Sequence, residues 1–265
     1  MGANGGAGGV AWCAMDLLSP LTLAVSVASL FVGATVLSAA GFGMGMVALP
    51  FLLLVVDPVT AILALNTTQI PLYLVVLRDT RRDIQTGEVK PLAVVGIAGA
   101  VLGVFVLTAS AEAVLRILTV ALILGLAVLT AFNPRPSFRA PQKLMKALGP
   151  VLGFGVAVLL GTSAIGGPIM ALYALGRGWA RDSVRGTLAA YFMAVMVVLV
   201  AGYVVAGIYT AERAAFIGIA VGPVLLGALL GTRLTRYLSD TAFRKAVVAI
   251  IITTSIVVLV RELAF

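Results

Sequence analysis

The sequence predicts an all-α polytopic membrane protein made of two inverted-topology repeats. Three observations predict this fold. The 265-residue chain is 62% hydrophobic and 11% charged, with a mean hydropathy of +1.17. Its apolar runs are separated by short basic loops, and a Gly-rich break interrupts the apolar sequence once in each half. No soluble domain needs this much apolar surface, which indicates a membrane protein. From the runs, loops and breaks together we expect each repeat to be a broken, re-entrant helix hairpin followed by three transmembrane helices.

The apolar runs divide into long and short ones. A transmembrane helix needs about 20 apolar residues, and shorter runs are more often re-entrant or interfacial. The runs expected to cross are residues 59–77, 89–107, 114–132, 184–208, 214–230 and 246–260, and the run at residues 17–40 is expected to be the longer first arm of the first hairpin. Three runs are too short to cross and adjoin a break, namely residues 44–56, 148–160 and 168–175.

The basic loops orient these runs. Four loops, at residues 78–90, 133–146, 176–185 and 232–245, hold four, four, three and four Lys or Arg residues. The loops around Glu112 and Glu212 hold one each. Since Lys and Arg accumulate on the cytoplasmic side, the first hairpin enters from outside and the second from inside. The odd number of crossings between them inverts the second half.

Internal similarity supports the repeat. GAVLGVFVLTASAEAVLR (residues 99–116) aligns with GALLGTRLTRYLSDTAFR (residues 227–244) at a spacing of 128, and SAAGFGMG aligns with TSAIGGP at a spacing near 123. The predicted organisation is an N-terminal tail (1–16), a first repeat (17–132), a cytoplasmic linker (133–147) and a second repeat (148–265). Whether the first hairpin is re-entrant or fully spanning stays open.

The two breaks predict an anion site near the middle of the membrane. Non-helical backbone at membrane depth survives only where it is buried in protein or lines a cavity. Helix N-termini there offer unpaired N–H groups and a positive dipole end. The predicted site residues are Ser38, Gly41, Gly43, Met44 and Gly45 from the first break and Thr162, Ser163, Gly166 and Gly167 from the second. The competing interpretation of these glycines is close helix packing, which we favour for Gly99, Gly103, Gly227 and Gly231.

Polar residues inside two of the spans add candidates. Asn66, Thr67, Thr68 and Gln69 cover nearly a full helical turn, so they cannot all face lipid. Asn66 and Gln69 are predicted substrate contacts, with interhelical hydrogen bonding as the open alternative. The corresponding span of the second half offers Thr187 and Tyr191, which lie four residues apart and therefore on one helix face. For Tyr191 the alternative is an ordinary buried aromatic.

Arginines cluster at the predicted cytoplasmic mouth, at positions 78, 177, 181 and 185. The positive-inside rule explains them. An electrostatic funnel that draws anions toward the pore is the alternative.

What the chain lacks excludes several functions. There is no histidine and Cys13 is the lone cysteine, so His-based catalysis, His-ligated metals and an internal disulfide are excluded. No charged residue lies near the middle of a predicted span, so no proton-relay carboxylate and no acid–base pair is present. We predict no enzyme activity, no cofactor and no metal. The net charge of +8 lies in short loops and marks topology rather than a nucleic-acid surface.

Two motifs carry a resemblance to a known family. GFGMGMVALPFL and GTSAIGGPIMALYAL, with RRDI and GEVKPL between them, resemble the signatures of the sulfite exporter TauE/SafE family, also called the 4-toluene sulfonate uptake permeases. Met44 and Pro168 stand where the family signatures usually have glycine. The resemblance spans about residues 25–260 and implies a multi-pass carrier of the bacterial inner membrane.

The implied substrate is a small sulfur-containing anion such as sulfite, sulfoacetate or a related organosulfonate, and export is the expected direction. Alternating access around the fixed midplane site is the expected mechanism. An anion-selective channel and a non-transport membrane subunit are the alternatives. The expected partners are the anion and the lipid bilayer, and the sequence leaves a homo-oligomer open.

Overall fold

The computed structural model describes residues 16–111 and 141–234, together with positions 114, 115, 117, 119, 121, 122 and 125. The predicted crossing at residues 246–260 and most of that at residues 114–132 lie outside the described residues, as do residues 1–15 of the predicted tail.

The described residues form helices and no strands. In chain order the helices are α1 (Pro20–Ala40), α2 (Met44–Leu52), α3 (Pro58–Thr80), α4 (Thr86–Ala109), α5 (Gln142–Ser163), α6 (Gly167–Gly176), α7 (Arg181–Val205) and α8 (Ala211–Leu234). Six of them, all but α2 and α6, are long and apolar enough to cross a membrane. The predicted all-α polytopic membrane fold is therefore confirmed.

The prediction that residues 148–160 are too short to cross is wrong. They belong to α5, whose 22 residues make it a candidate span. The helix begins earlier than the apolar run because Gln142, Lys143 and Lys146, which were assigned to the cytoplasmic linker, form its first turns. Each break therefore joins a long helix to a short one, α1 to α2 and α5 to α6.

Local sequence sets the helix starts. Ser19 caps α1 by accepting a hydrogen bond from the Thr22 amide, and Asp57 caps α3 by accepting one from the Thr60 amide at 2.9 Å. In both cases proline follows as the first helical residue, where its missing N–H costs nothing.

Two pairs of long helices pack with their backbones in close contact. A Cβ built on Gly99 of α4 would overlap the Phe154 carbonyl of α5, and one built on Gly227 of α8 would overlap the Phe31 carbonyl of α1. These glycines let the backbones touch, as the close-packing interpretation predicted. Gly103 and Gly231, four residues further along, meet residues 158 and 35 in the same way, so each pair of helices runs parallel.

The centre of the bundle is formed by α3 and α7, which pack together. Two-thirds of the apolar window of α3 is buried (67%), against 33% for α4. Val94, Val101 and Phe105 of α4 are exposed and form a face suited to lipid. The core therefore surrounds the two helices that carry most of the predicted polar site residues.

Candidate anion site at the helix breaks

Both breaks interrupt the helices with left-handed residues. The first leaves α1 at Gly41 (φ 87°) and enters α2 at Gly43 (φ 104°). The second leaves α5 at Ala164 (φ 54°), the one non-glycine residue with positive φ among the described residues. The Gly41 amide donates to the Leu37 carbonyl, and the Ala164 amide donates to the Leu160 carbonyl. Both long helices thus end with the same turn, 123 residues apart.

The two breaks touch each other. A Cβ on Gly45, in the first turn of α2, would overlap the carbonyl oxygen of Ala164. A Cβ on Gly167, the first residue of α6, would lie 2.7 Å from the Cβ of Phe42. Glycine is required at these two positions because the first turn of each short helix contacts the irregular segment of the other break at van der Waals distance. The N-terminus of each short helix therefore lies against the break of the other half.

A small cavity lies at this crossing. It is lined by residues 42–46 of the first break, residues 164–168 of the second, and Gln69, Tyr73, Leu160 and Phe192. Gln69 is the twelfth of the 23 residues of α3, and Phe192 is the twelfth of the 25 residues of α7. The cavity is thus at half the length of both central helices, as a site in the middle of the membrane requires.

The cavity has little free volume. The volume open to the centre of a water molecule is about 10 Å³, the lower limit for one water. A sulfur oxyanion has at least four heavy atoms and needs more room. Met44 and Met46 line the cavity, and the unbranched side chain of methionine adapts to irregular spaces.

Six of the predicted site residues meet at the cavity. They are Gly43, Met44, Gly45, Gln69, Gly166 and Gly167. Gln69 is 3% exposed; its Nε2 donates to the Leu65 carbonyl and its Oε1 accepts from the Tyr73 hydroxyl at 3.0 Å. The amide nitrogen carries a second hydrogen, which makes Gln69 the best placed side-chain donor for an anion in the cavity.

Asn66 lies next to the cavity rather than in its lining. Its Nδ2 donates to the Leu160 carbonyl and to the Tyr203 hydroxyl, both at 2.9 Å, and that hydroxyl donates to the Gly161 carbonyl. Leu160 and Gly161 are among the last four residues of α5, where carbonyls lack donors from within the helix; the Leu160 carbonyl also accepts the Ala164 amide. Asn66 and Tyr203 thus cap α5. This placement favours the interhelical alternative for Asn66.

The hydroxyls predicted to face the anion bond to their own helix. Thr162 Oγ1 donates to the Val158 carbonyl at 3.0 Å, and Ser163 Oγ donates to the Leu159 carbonyl at 2.7 Å. Such local bonds compete with contacts to a ligand. Ser38 is fully buried, and its hydroxyl has no hydrogen-bond partner within the described part of the chain. It packs near Gly231 of α8 and is not part of the lining.

Gly41, Thr187 and Tyr191 also lie outside the lining. Gly41 packs on the Arg185 side chain. The Thr187 hydroxyl accepts the Gln85 amide at 3.0 Å, at the start of α4. The Tyr191 hydroxyl donates to the Gly153 carbonyl at 2.5 Å, a link between α7 and α5.

The sequence interpretation missed several lining residues. Tyr73 follows Gln69 by four positions and shares its helix face, so it could have been found. Phe192 stacks on Tyr73 with ring centroids 5.7 Å apart. It stands 123 residues after Gln69, a spacing that also could have indicated it. Tyr203, which lies outside the lining and caps α5, carries no local signal, because its partners come from distant helices.

The fold and this crossing define a class of protein, a polytopic helical membrane transporter with paired helix breaks. The family model described as sulfite exporter TauE/SafE matches residues 25–258, nearly the whole chain. The protein therefore belongs to the sulfite exporter TauE/SafE family, a family of membrane transporters and not of enzymes. Comparison with curated proteins gave no match, and comparison with solved structures gave none.

Proposed function

We propose that the protein carries a small sulfur oxyanion, such as sulfite or an organosulfonate, across the bacterial cytoplasmic membrane and binds it between the two helix breaks. The observation that carries this proposal is the contact of two short-helix N-termini at half the length of α3 and α7. The family supports a sulfur-containing anion as cargo.

Backbone amides are the main binding groups in this proposal. The first four N–H groups of a helix have no intrahelical acceptor. In α2 the first intrahelical bond runs from the Val47 amide to the Gly43 carbonyl, which leaves the amides of residues 43–46 available. In α6 the first bond is from Met170 to Gly166, and Pro168 has no N–H, so residues 166, 167 and 169 contribute. The positive ends of both helix dipoles add to the attraction.

Matched contacts support an inverted repeat. Gly99 lies against Phe154 and Gly227 against Phe31, and the two partners are 123 residues apart. Each long broken helix thus packs on a helix of the other half, in the same way both times. In this proposal the halves are related by a pseudo-two-fold axis in the membrane plane.

Two ion pairs at opposite ends of the bundle support alternating access. Arg177, just after α6, pairs with Glu88 in the first turn of α4. Arg213 in the first turn of α8 pairs with Asp57, the cap of α3, at 3.4 Å. Each pair joins one half to the other, one near the start of α7 and one beyond its end. In the proposed cycle one pair opens at a time, and the cavity opens to that side.

Export is the direction we propose. A negative-inside potential drives an anion outward by about 2.3 kcal/mol per charge per 100 mV. No coupling carboxylate is needed for this direction.

Counterflow in proteoliposomes tests the function. Purified protein is reconstituted with internal sulfite, and uptake of labelled external sulfite is measured. We expect saturable uptake that depends on internal sulfite and that is absent with internal acetate. Flux that rises linearly and ignores internal substrate would indicate a channel, and the absence of any flux and of any thermal stabilisation by sulfur oxyanions would refute the proposal.

Accessibility of the cavity tests the mechanism. A cysteine replaces Met44 in a Cys13→Ala background, and a membrane-impermeant thiol reagent is applied from either side. Arg177→Gln should raise reactivity from the cytoplasmic side and Arg213→Gln from the outer side. Equal changes in thiol reactivity from both sides in both variants would contradict a cycle in which the two ion pairs open one at a time.

A further inference from the structure

Arg185 is the one charged residue among the described residues that is buried, with 7% of its surface exposed. It is the fifth residue of α7. Burying a guanidinium is costly unless it is paired and fully hydrogen-bonded. The hydrogen bonds and carboxylate neighbours of the Arg185 guanidinium therefore decide how far the protein compensates its charge.

The protein satisfies this charge only in part. Nη2 donates to the Ser38 carbonyl at 3.2 Å, in the last turn of α1. The carboxylates of Asp79 and Asp182 lie at 3.8 Å and 3.5 Å. Both carboxylate side chains are exposed, 62% and 63%, so water screens these contacts. Nε is buried and has no hydrogen-bond partner among the residues that the structure describes.

Arg185 also lies directly on the first helix break. A Cβ on Gly41 would lie 2.9 Å from the Arg185 Cγ, so glycine at this position makes room for the arginine. The next two residues, Phe42 and Gly43, line the cavity. A buried and incompletely paired cation therefore adjoins the cytoplasmic side of the candidate site.

We propose that Arg185 is a specificity-determining residue that selects for anions carrying at least two oxygens on one centre, by pairing with them as they pass between the cytoplasm and the helix breaks. The anion replaces the screened carboxylates of Asp79 and Asp182 as the partner of the guanidinium. The planar fork of arginine matches two oxygens of a sulfur oxyanion. This inference rests on the proposed function and adds to it the group that recognises charge.

The test measures sulfite affinity in the purified full-length protein by titration calorimetry, beside the thermal midpoint of each variant. Arg185→Gln should weaken the affinity about 10- to 100-fold, the size of a lost charge-assisted hydrogen bond. Arg185→Lys keeps the charge but lacks the planar fork, so its affinity should fall between those of the wild type and Arg185→Gln. Arg78→Gln is the matched control, because Arg78 is exposed and precedes Asp79, which lies 3.8 Å from Arg185; it should leave the affinity unchanged.

A second variant tests the inference through a gain of sulfite affinity. Asp182→Asn removes a competing carboxylate and should tighten sulfite binding about 2- to 5-fold, whereas a purely structural Arg185 predicts no tightening. If Arg185→Gln does not fold, Asp182→Asn decides alone: tighter binding supports the inference, and equal or weaker binding overturns it. Wild-type affinity in a folded Arg185→Gln also overturns it. If the wild-type protein binds no sulfur oxyanion, the proposed function fails first.

Discussion

The two helix breaks have the same backbone turn but different chemical surroundings. Gly41 and Ala164 stand 123 residues apart, both in the left-handed region, and each closes a long helix with a bond to the carbonyl four residues earlier. One position is glycine and the other is alanine. The turn is therefore set by its place in the fold, since two different residues adopt it.

The caps of the two long helices differ in charge. The Ser38 carbonyl of α1 accepts from Arg185, and the Gly161 carbonyl of α5 accepts from Tyr203. Ser38 and Gly161 are also 123 residues apart, and both donors belong to α7, one near each end. A charged cap at one break and a neutral cap at the other give the two breaks different electrostatic fields. Substrate preference is thus expected to depend on the caps, and the shape of the cavity on the breaks.

The largest expected effect comes from separating the breaks. Gly45→Ala places a methyl group in the Ala164 carbonyl, so the crossing must open, and we expect sulfite binding and counterflow to be lost. Gly167→Ala meets the Phe42 side chain instead of a backbone carbonyl and should reduce transport less. Gly155→Ala is the control, since no atom of the described residues lies within 4 Å of a Cβ there. Wild-type transport by Gly45→Ala would show that the contact is dispensable.

The next effect separates a cap from a ligand contact. Asn66→Leu leaves the Tyr203 hydroxyl without its amide donor and removes one donor to the Leu160 carbonyl, which should cost about 1–3 kcal/mol of stability. Gln69 faces the cavity, so Gln69→Leu should instead weaken sulfite affinity about 10-fold. Thermal unfolding and titration of both variants give the two readouts. The reverse pattern would make Asn66 the substrate contact and Gln69 the structural residue.

The breaks and the spans could be predicted from the sequence because their causes are local. Closely spaced glycines at residues 41–45 and under-length apolar runs are visible in one window of sequence. The start of α5 was missed for the same reason: Gln142, Lys143 and Lys146 form a polar first turn that resembles a loop until the helix continues from it.

The side chains around the site could be predicted only in part, because their partners are distant in sequence. Asn66 is polar within a span, but only the position of α5 makes it a cap. Thr162 and Ser163 lie at the break as expected, yet their hydroxyls bond to their own helix, an outcome that residue type alone does not decide. Arg185 was assigned to the positive-inside pattern, which explains its side of the membrane but not its burial.

A smaller effect separates the cost of backbone strain from the role of a residue at the cavity. Gly43→Ala and Gly207→Ala both put alanine at a left-handed position. The nearest atom to a Cβ on Gly43 is Val36 Cγ1 at 3.6 Å, and no atom of the described residues lies within 4 Å of a Cβ on Gly207. Each should cost about 1–2 kcal/mol. Only Gly43→Ala should also lower counterflow, because Gly43 caps α2 at the cavity. Equal transport by the two variants would mean that the α2 amides do not bind substrate.

The smallest effect tests the equivalence of the two turns directly. Ala164→Gly removes about 1–2 kcal/mol of left-handed strain but adds about 0.5–1 kcal/mol of backbone entropy to the unfolded chain, so the thermal midpoint should rise slightly and transport should persist. Gly41→Ala should lower the midpoint clearly, because its methyl group meets Arg185 at 2.9 Å in addition to the strain. Thermal unfolding of both variants in one detergent compares them. If Ala164→Gly proved the more damaging change, the alanine methyl would have a packing role that the glycine break lacks, and the two breaks would differ in backbone as well as in their caps.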